Sequence, residues 1–396
     1  MHSFPHRLVV LILGVLACIG PFSIDTYLPA FAEISQEFKT SPEMVQQTLG
    51  VYSFAYAFMT LFYGTLSDSF GRKRIVLIAL SLYFLASFIC FIAPSIEWLI
   101  FGRLLQGFSA GAGSVVGQAI VTDCYKGAQA QRVMSYIVMV FSISPALAPL
   151  LGGYLLIYSG WRTIFVFLGV LALCIGLLTY FHLPETLATN QRQPFLIRSL
   201  LRNYWIICQR QYFLPLTIAF SMLYIALGFL VGAAPDFIMN TMHLPATDFY
   251  WLFIPIMLGL IGGSYTVARF AGFMSSSKML KMGFFIILLS GLVNVVYTYL
   301  AVPKMPYVVI PIAFFALGFS ILSPNLTIHL LSLQTQSVGM AASILGFMQM
   351  LFFSIASGVL TPLIFGSAFK LSSVLFLSSI ISGFSWWMIT SRLKPS

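Results

Sequence analysis

Residues 8–31 read LVVLILGVLACIGPFSIDTYLPAF, an apolar run interrupted by one acid, Asp25. A hydrocarbon core about 30 Å thick is crossed by about 20 apolar residues in a helix rising about 1.5 Å each. The stretch therefore spells a membrane span. His6 and Arg7 precede it, and Ala30-Phe31-Ala32 resembles a signal-peptidase site. That site lies too far from Leu8, with Asp25 and Pro29 intervening, to close the short apolar region of a cleavable signal. The segment is expected to stay as an uncleaved first span.

Outward from this stretch the composition is the same. Of 396 residues, 59% are hydrophobic and 8% charged, whereas a soluble domain carries roughly a quarter charged residues. A water-soluble globule is excluded. Further apolar segments recur at about 45–66, 75–93, 98–122, 133–158, 163–183, 213–235, 249–268, 280–300, 307–331, 338–363 and 371–390. With the first they predict an all-α integral membrane protein of twelve transmembrane helices. The longest polar interval carries Arg192, Arg198, Arg202 and Arg210. It divides the chain into a six-helix half over 1–183, a cytoplasmic central loop over 184–212 and a second six-helix half over 213–396.

Lys and Arg in alternate loops set the orientation. One side holds Arg7, Arg72, Lys73, Arg74, Lys126, Arg132, the four central arginines, Arg269, Lys278, Lys281, Arg392 and Lys394; the other holds Lys39, Arg162, Lys304 and Lys370. Both termini and the central loop are thus expected on the cytoplasmic side of a bacterial inner membrane. The net charge of +10 then reflects topology rather than a nucleic-acid partner. Five scattered cysteines, Cys18, Cys90, Cys124, Cys174 and Cys208, offer neither zinc spacing nor a disulfide framework and read as packing residues. Glycine-rich phosphate loops, zinc-hydrolase helices and nucleophile elbows are absent from the sequence, so no cofactor or metal is expected and the energy source would be the proton gradient. The halves look weakly related, since Gly263 to Gly272, with Arg269, follows the eighth span where Gly64 to Arg74 follows the second. Such a pseudo-repeat places a substrate path between halves.

The loop after the second span reads GTLSDSFGRKR over 64–74. It matches G-x-L-[AS]-D-x-x-G-R-[KR] at every defined position, and the chain here resembles the major facilitator superfamily. Gly71 permits a sharp turn, and Asp68 can pair with Arg72 or Arg74 across it. The resemblance implies a cytoplasmic gate formed by Gly64, Asp68, Gly71 and Arg72; the bland alternative is a topology signal. Asp123 closes the fourth span near Arg132, either joining this network or acting as a solvated cap.

In the fourth span Arg103-Leu104-Leu105-Gln106-Gly107 resembles the superfamily's R-x-x-Q-G motif. A guanidinium in the membrane costs several kcal/mol unless paired or hydrated, so a partner is expected. Asp25, the acid well inside an apolar span, lies at a matching depth; otherwise it is a water-bathed edge residue. The pattern Pro21-x-x-x-Asp25-x-Tyr27-Leu28-Pro29 resembles the first helix of the bicyclomycin and chloramphenicol resistance (Bcr/CflA) branch of drug:proton antiporters, which implies that Asp25 binds the transported proton; with the matching depth, the expected cycle has protonation of Asp25 release Arg103. Ala17 stands where some related exporters carry a second acid. In the fifth span Pro145, Pro149, Gly152 and Gly153 resemble the antiporter motif, with Ala148 replacing its first glycine; a merely kinked helix is the alternative.

Other positions say less. Gly107, Gly111, Gly113 and Gly117 are spaced for helix packing. Trp161-Arg162 and Pro184-Glu185-Thr186 read as helix ends, Asp236 and Asp248 as outer-loop acids, and His329 as an interhelical histidine. Tyr52, Tyr56 and Gln106 are candidates for a substrate cavity. The expectation is a monomeric, proton-coupled secondary transporter exporting small, largely apolar compounds by alternating access, with substrate, protons and the bilayer as its partners. The rivals are an exporter dedicated to one endogenous metabolite, such as a siderophore or amino acid derivative, and, from another class, a membrane-embedded enzyme or passive channel.

Overall fold

The computed structural model describes residues 6–125, 127–270, 273–332 and 338–391. Lys126, Gly272, Arg392 and Lys394, counted above for orientation and repeat, lie outside the described residues, as do the side chains of Arg7 and Arg132. Two compact units, Met1–Ser199 and Leu200–Ser396, make up the chain.

The first unit runs α1 (His6–Asp25), α2 (Phe31–Glu37), α3 (Pro42–Phe70), α4 (Arg72–Phe91), α5 (Ile96–Cys124), α6 (Gly127–Ser159) and α7 (Arg162–His182). After α8 (Ile197–Cys208) the second continues with α9 (Phe213–Gly232), α10 (Tyr250–Phe270), α11 (Ser276–Leu300), α12 (Val309–Ser332), α13 (Val338–Ser354) and α14 (Ala368–Thr390). Local chemistry sets the ends. Ser41 caps α3, its hydroxyl accepting from the Met44 amide at 3.4 Å, with Pro42 in the first turn. The same helix stops at Gly71, whose φ of 102° an L side chain rarely adopts.

Eleven helical segments among the described residues are long and apolar enough to cross a bilayer. The twelfth is α6, whose apolar stretch Ile143–Ser159 belongs to a helix of 33 residues. The chain is a multi-pass membrane protein of twelve spanning helices. The first span is α1 and α2 joined by a break, and the eleventh continues α13 through a π-turn, Ile355–Leu360, and a short 3-10 turn, Thr361–Ile364. The polar interval is not bare loop, because it contains α8.

Most helix pairs recur in the same order in the two units, although α9 packs chiefly on α14 whereas its counterpart α1 packs chiefly on α6. In the first, α3 and α4 pack on α5, α4 packs on α7, and α1 on α6; in the second, α10 and α11 pack on α12, α11 on α14, and α9 on α13. Small residues let these helices touch backbone to backbone. A Cβ on Gly107 would collide with the Tyr52 carbonyl of α3, and one on Gly113 with the Leu16 carbonyl of α1. Gly111 and Gly117, on the same helix, meet only ordinary van der Waals neighbours.

Candidate functional site

Arg103 sits on the face of α5 turned to α1 and α3 and is wholly buried. Its guanidinium carbon lies 4.7 Å from the centroid of the Tyr27 ring and 4.1 Å from that of Tyr52, so two π faces attract the cation and offset part of the cost of burying it. Nη1 donates to Ser23 Oγ at 3.1 Å and to Gln106 Oε1 at 2.9 Å. The network extends through Gln106 Nε2, which donates to Ser87 Oγ at 2.8 Å on α4. Each ring is held by its own hydroxyl, Tyr52 donating to the Gly20 carbonyl at 2.9 Å and Tyr27 bonding Thr48 Oγ1 at 2.9 Å. Nε and Nη2 of Arg103 are buried with no hydrogen-bond partner among the described residues.

The expected pairing of Arg103 with Asp25 is not made. No ion pair or hydrogen bond joins Asp25, 5% exposed, to another side chain among the described residues. The reason is angular. Successive helix residues turn by about 100°, so Ser23 and Asp25 point about 200° apart, and the guanidinium that meets Ser23 is on the wrong side for Asp25. Depth along the axis matched; azimuth did not.

Asp25 is the last residue of α1. Pro29 has no N–H to give its carbonyl, and the chain turns through Thr26 and Tyr27 into a 3-10 turn, Leu28–Ala30. Thr26 Oγ1 donates back to the Phe22 carbonyl at 2.7 Å. Beside this break lies an almost wholly apolar cleft of about 310 Å³ between α1, α6 and α7, lined by Cys18, Phe22, Ser144 and Leu147 among others. Asp25 continues the Cys18 and Phe22 face one turn on. The antiporter-motif residues lie on α6, whose Ser144 and Leu147 line the cleft. Gly152 seats against the Thr26 carbonyl so closely that a Cβ would collide with it; Gly153 is also buried, while Pro145 and Pro149 lie within α6. Ser144 Oγ is buried without a partner among the described residues.

The cavity candidates separate. Tyr52 and Gln106 are fully buried within the Arg103 network, whereas Tyr56 is half-buried and bonds Ser114 Oγ at 2.9 Å. Ser23, Thr48 and Ser87 complete the network and carried no sequence signal, being small hydroxyls in apolar runs.

At the end of α3 the motif residues converge. Arg72 Nη1 lies 2.5 Å from Asp68 Oδ1 and donates to Ser67 Oγ at 2.6 Å, while Nε donates to Asp123 Oδ2 at 3.1 Å. Asp123 thus joins the network rather than capping alone. Residues read as a helix end close over it. Glu185 Oε1 accepts from the Arg72 amide at 2.9 Å, Thr186 Oγ1 donates to Asp123 Oδ2 at 3.1 Å, and the Gln193 amide donates to the Asp68 carbonyl at 3.3 Å. A Cβ on Gly71 would stand 2.5 Å from Glu185 Oε2 and 3.0 Å from Arg192 Nη2. Gly64 is different: nothing among the described residues lies within 4 Å of a Cβ built there.

At the other end of this unit Arg162 pairs with Glu37, and Trp161 Nε1 donates to Glu37 Oε2 at 2.5 Å. These residues do more than end a helix, since they tie α7 to α2. In the second unit Asp236 Oδ2 accepts from the Gly366 amide at 2.7 Å. His329 packs edge-on to Trp386 at 5.4 Å, with Nε2 buried and unpartnered among the described residues.

Residues 13–361 match the sequence profile of the Major Facilitator Superfamily. A bicyclomycin resistance protein homolog of Haemophilus influenzae is 28% identical over 383 residues, covering 97% of this chain and 96% of that one. Multidrug resistance protein D of Escherichia coli is 27% identical over 361 residues, 90% of this chain and 88% of that one. The crystal structure of the human organic anion transporter MFSD10 superposes with a TM-score of 0.69 at 16% identity, over 97% of this chain and 99% of that one; at that identity the likeness speaks for the fold alone.

Proposed function

The chain belongs to the Major Facilitator Superfamily, and from that premise we propose that it is a proton-coupled secondary transporter that exports small, largely apolar compounds by alternating access. The observation that carries the reading is Asp25: a residue only 5% exposed, with no ion pair or side-chain hydrogen bond among the described residues, placed where α1 stops being helical and one turn beyond Phe22 of the apolar cleft. The relatives named for bicyclomycin and multidrug resistance, aligned over nearly their whole length, support the substrate class.

In this reading a proton loads Asp25 from the outside-facing state and removes the one charge at the break. A substrate entering from the cytoplasm favours the proton's release. Because Arg103 is held by Ser23, Gln106 and two rings, it acts as a brace on α1 rather than as a counter-ion freed by protonation. The change in charge is then transmitted through the end of α1, whose Thr26 carbonyl rests on Gly152 of α6. One acid implies one proton per cycle. The distribution of Lys and Arg supports a bacterial inner membrane with both termini and the central interval cytoplasmic, and a monomer suffices for the cycle.

The test is uptake of a compound panel into inverted vesicles with an imposed proton gradient. Wild type should accumulate substrate only while the gradient lasts, and Asp25→Asn should insert and bind yet fail to accumulate. Gradient-driven accumulation by Asp25→Asn would sink the coupling role.

A further inference from the structure

One helix is absorbed neither by the spans nor by the site. α8, 12 residues long, is about 18 Å in length and separates its residues by chemistry around its axis. Leu200, Tyr204 and Ile207 are buried, and Tyr204 hydrogen-bonds Ser343 of α13, burial holding its hydroxyl up at a pKa of about 12. That contact fixes the rotation of the helix. On the adjoining sector Ile197, Leu201 and Trp205, one turn apart each, stand 51%, 56% and 66% exposed. Next to them, at about 100° per residue, come Arg198 and Arg202, also one turn apart and exposed. Neither arginine has an ion pair among the described residues.

An apolar stripe of this kind facing water would be an aggregation liability. Its place in the chain says what covers it. Only residues 209–212 separate α8 from the spanning helix α9 at Phe213, at most about 14 Å of extended chain, so α8 is tethered at the edge of the bilayer. A helix lying in the interface buries an apolar face at the acyl boundary and sets cations among the headgroups, where anionic lipid attracts each Arg by the energy of about a fivefold preference. Trp205 belongs at that depth too.

We propose that α8 is an interfacial helix that binds anionic phospholipid, with Ile197, Leu201 and Trp205 seated at the acyl boundary and Arg198 and Arg202 holding the headgroup phosphates. The proposal rests on membership of a multi-pass membrane family and not on the substrate reading. Ser199, exposed and about 160° from Leu201 around the axis, faces away from the stripe, on a side that also exposes Ile206.

The experiment uses the full chain, with its five cysteines replaced, in nanodiscs of phosphatidylcholine containing a minor share of phosphatidylglycerol, one lipid or the other brominated. A fluorophore on Leu201→Cys should be quenched at least about twofold more than one on Ser199→Cys. Quenching at Leu201→Cys by brominated phosphatidylglycerol should exceed that by brominated phosphatidylcholine at equal mole fraction, and the excess should fall as salt rises. Arg198→Gln with Arg202→Gln should reduce the preference for phosphatidylglycerol by roughly thirtyfold, and the double lysine variant should restore most of it, which separates lost charge from lost folding. Equal quenching at the two positions, no quenching at either (the expectation for a stripe covered by a protein partner), or a phosphatidylglycerol excess indifferent to salt and to both arginines would overturn the proposal. A transport-dead chain, such as Asp25→Asn, should give the same quenching pattern, so failure of the export reading remains distinguishable.

Discussion

Arg103 Nη1 donates to Ser23 Oγ at 3.1 Å, and that one hydrogen bond fixes which face of α1 the cation addresses. Asp25, two residues on, looks elsewhere. The fold therefore separates two roles that shared depth would assign to one ion pair: Arg103 holds α1, α3, α4 and α5 together, while Asp25, at the end of α1, has no ion pair among the described residues.

The first prediction follows from that separation. An opposite charge in direct contact moves a carboxyl's titration by about 1–3 units. Without such contact, Arg103→Gln should leave the pH midpoint of substrate binding within about half a unit of wild type. Its cost should fall on stability instead, since Tyr27, Tyr52 and Gln106 lose the group they enclose. Binding titrations from about pH 5 to about pH 9 on purified variants read this; a midpoint displaced by a full unit or more would restore Asp25 and Arg103 as a coupled pair.

Tyr52 separates its ring from its hydroxyl. Tyr52→Phe keeps the π face on Arg103 and forfeits the bond to the Gly20 carbonyl, a loss of about 1 kcal/mol. Tyr52→Leu forfeits both, and a desolvated cation–π contact contributes about 2 kcal/mol. Thermal unfolding in detergent should therefore rank wild type above Phe, and Phe well above Leu. Equal losses for the two variants would mean that the ring's charge contact contributes nothing.

The spans were legible because hydrophobic length is a one-dimensional property, and the break after Asp25 was marked by Pro29. Arg103 was recognisable as a residue needing a partner, yet its partner was not, since the choice between Ser23 and Asp25 depends on an angle that apolar neighbours on all sides leave unmarked. Tyr27 was quoted in a pattern without its role as a π face being visible there. Glu185 looked like a helix end because its contacts span 113 residues of sequence. α8 was hidden for another reason: its arginines were counted as topology charges, and a helix of 12 residues is too short to register among spans.

At the end of α3, Gly71 and Glu185 make a coupled pair. Gly71→Ala forces a side chain onto φ 102° and against Glu185 Oε2, and strain in that region costs on the order of 1–3 kcal/mol. Glu185→Ala alone removes the acceptor of the Arg72 amide, at about 1 kcal/mol or more. In the double variant the collision is gone but the backbone strain stays, so the combined loss of stability should be smaller than the sum of the two by about 0.5 kcal/mol or more. Strict additivity in unfolding measurements would show that Glu185 does not close over Gly71 in the bilayer.

Gly64 and Gly152 look alike in sequence and should behave oppositely. A Cβ on Gly152 collides with backbone, the Thr26 carbonyl beside Asp25, which cannot rotate away as a side chain could; Gly152→Ala should lose about 1–3 kcal/mol and most transport. A Cβ on Gly64 meets nothing among the described residues, and the position lies inside α3, where Ala is favoured over Gly by about 1 kcal/mol. Gly64→Ala should therefore raise the unfolding temperature. If Gly64 belongs to a gate that closes in another state of the cycle, the same variant should lose transport by about tenfold while binding substrate normally, because a collision absent here would arise only when the gate shuts. Thermal unfolding and vesicle uptake on one preparation separate the cases: a chain that is both more stable and fully active would remove Gly64 from the gate and leave Asp68, Gly71, Arg72 and Asp123 to form it.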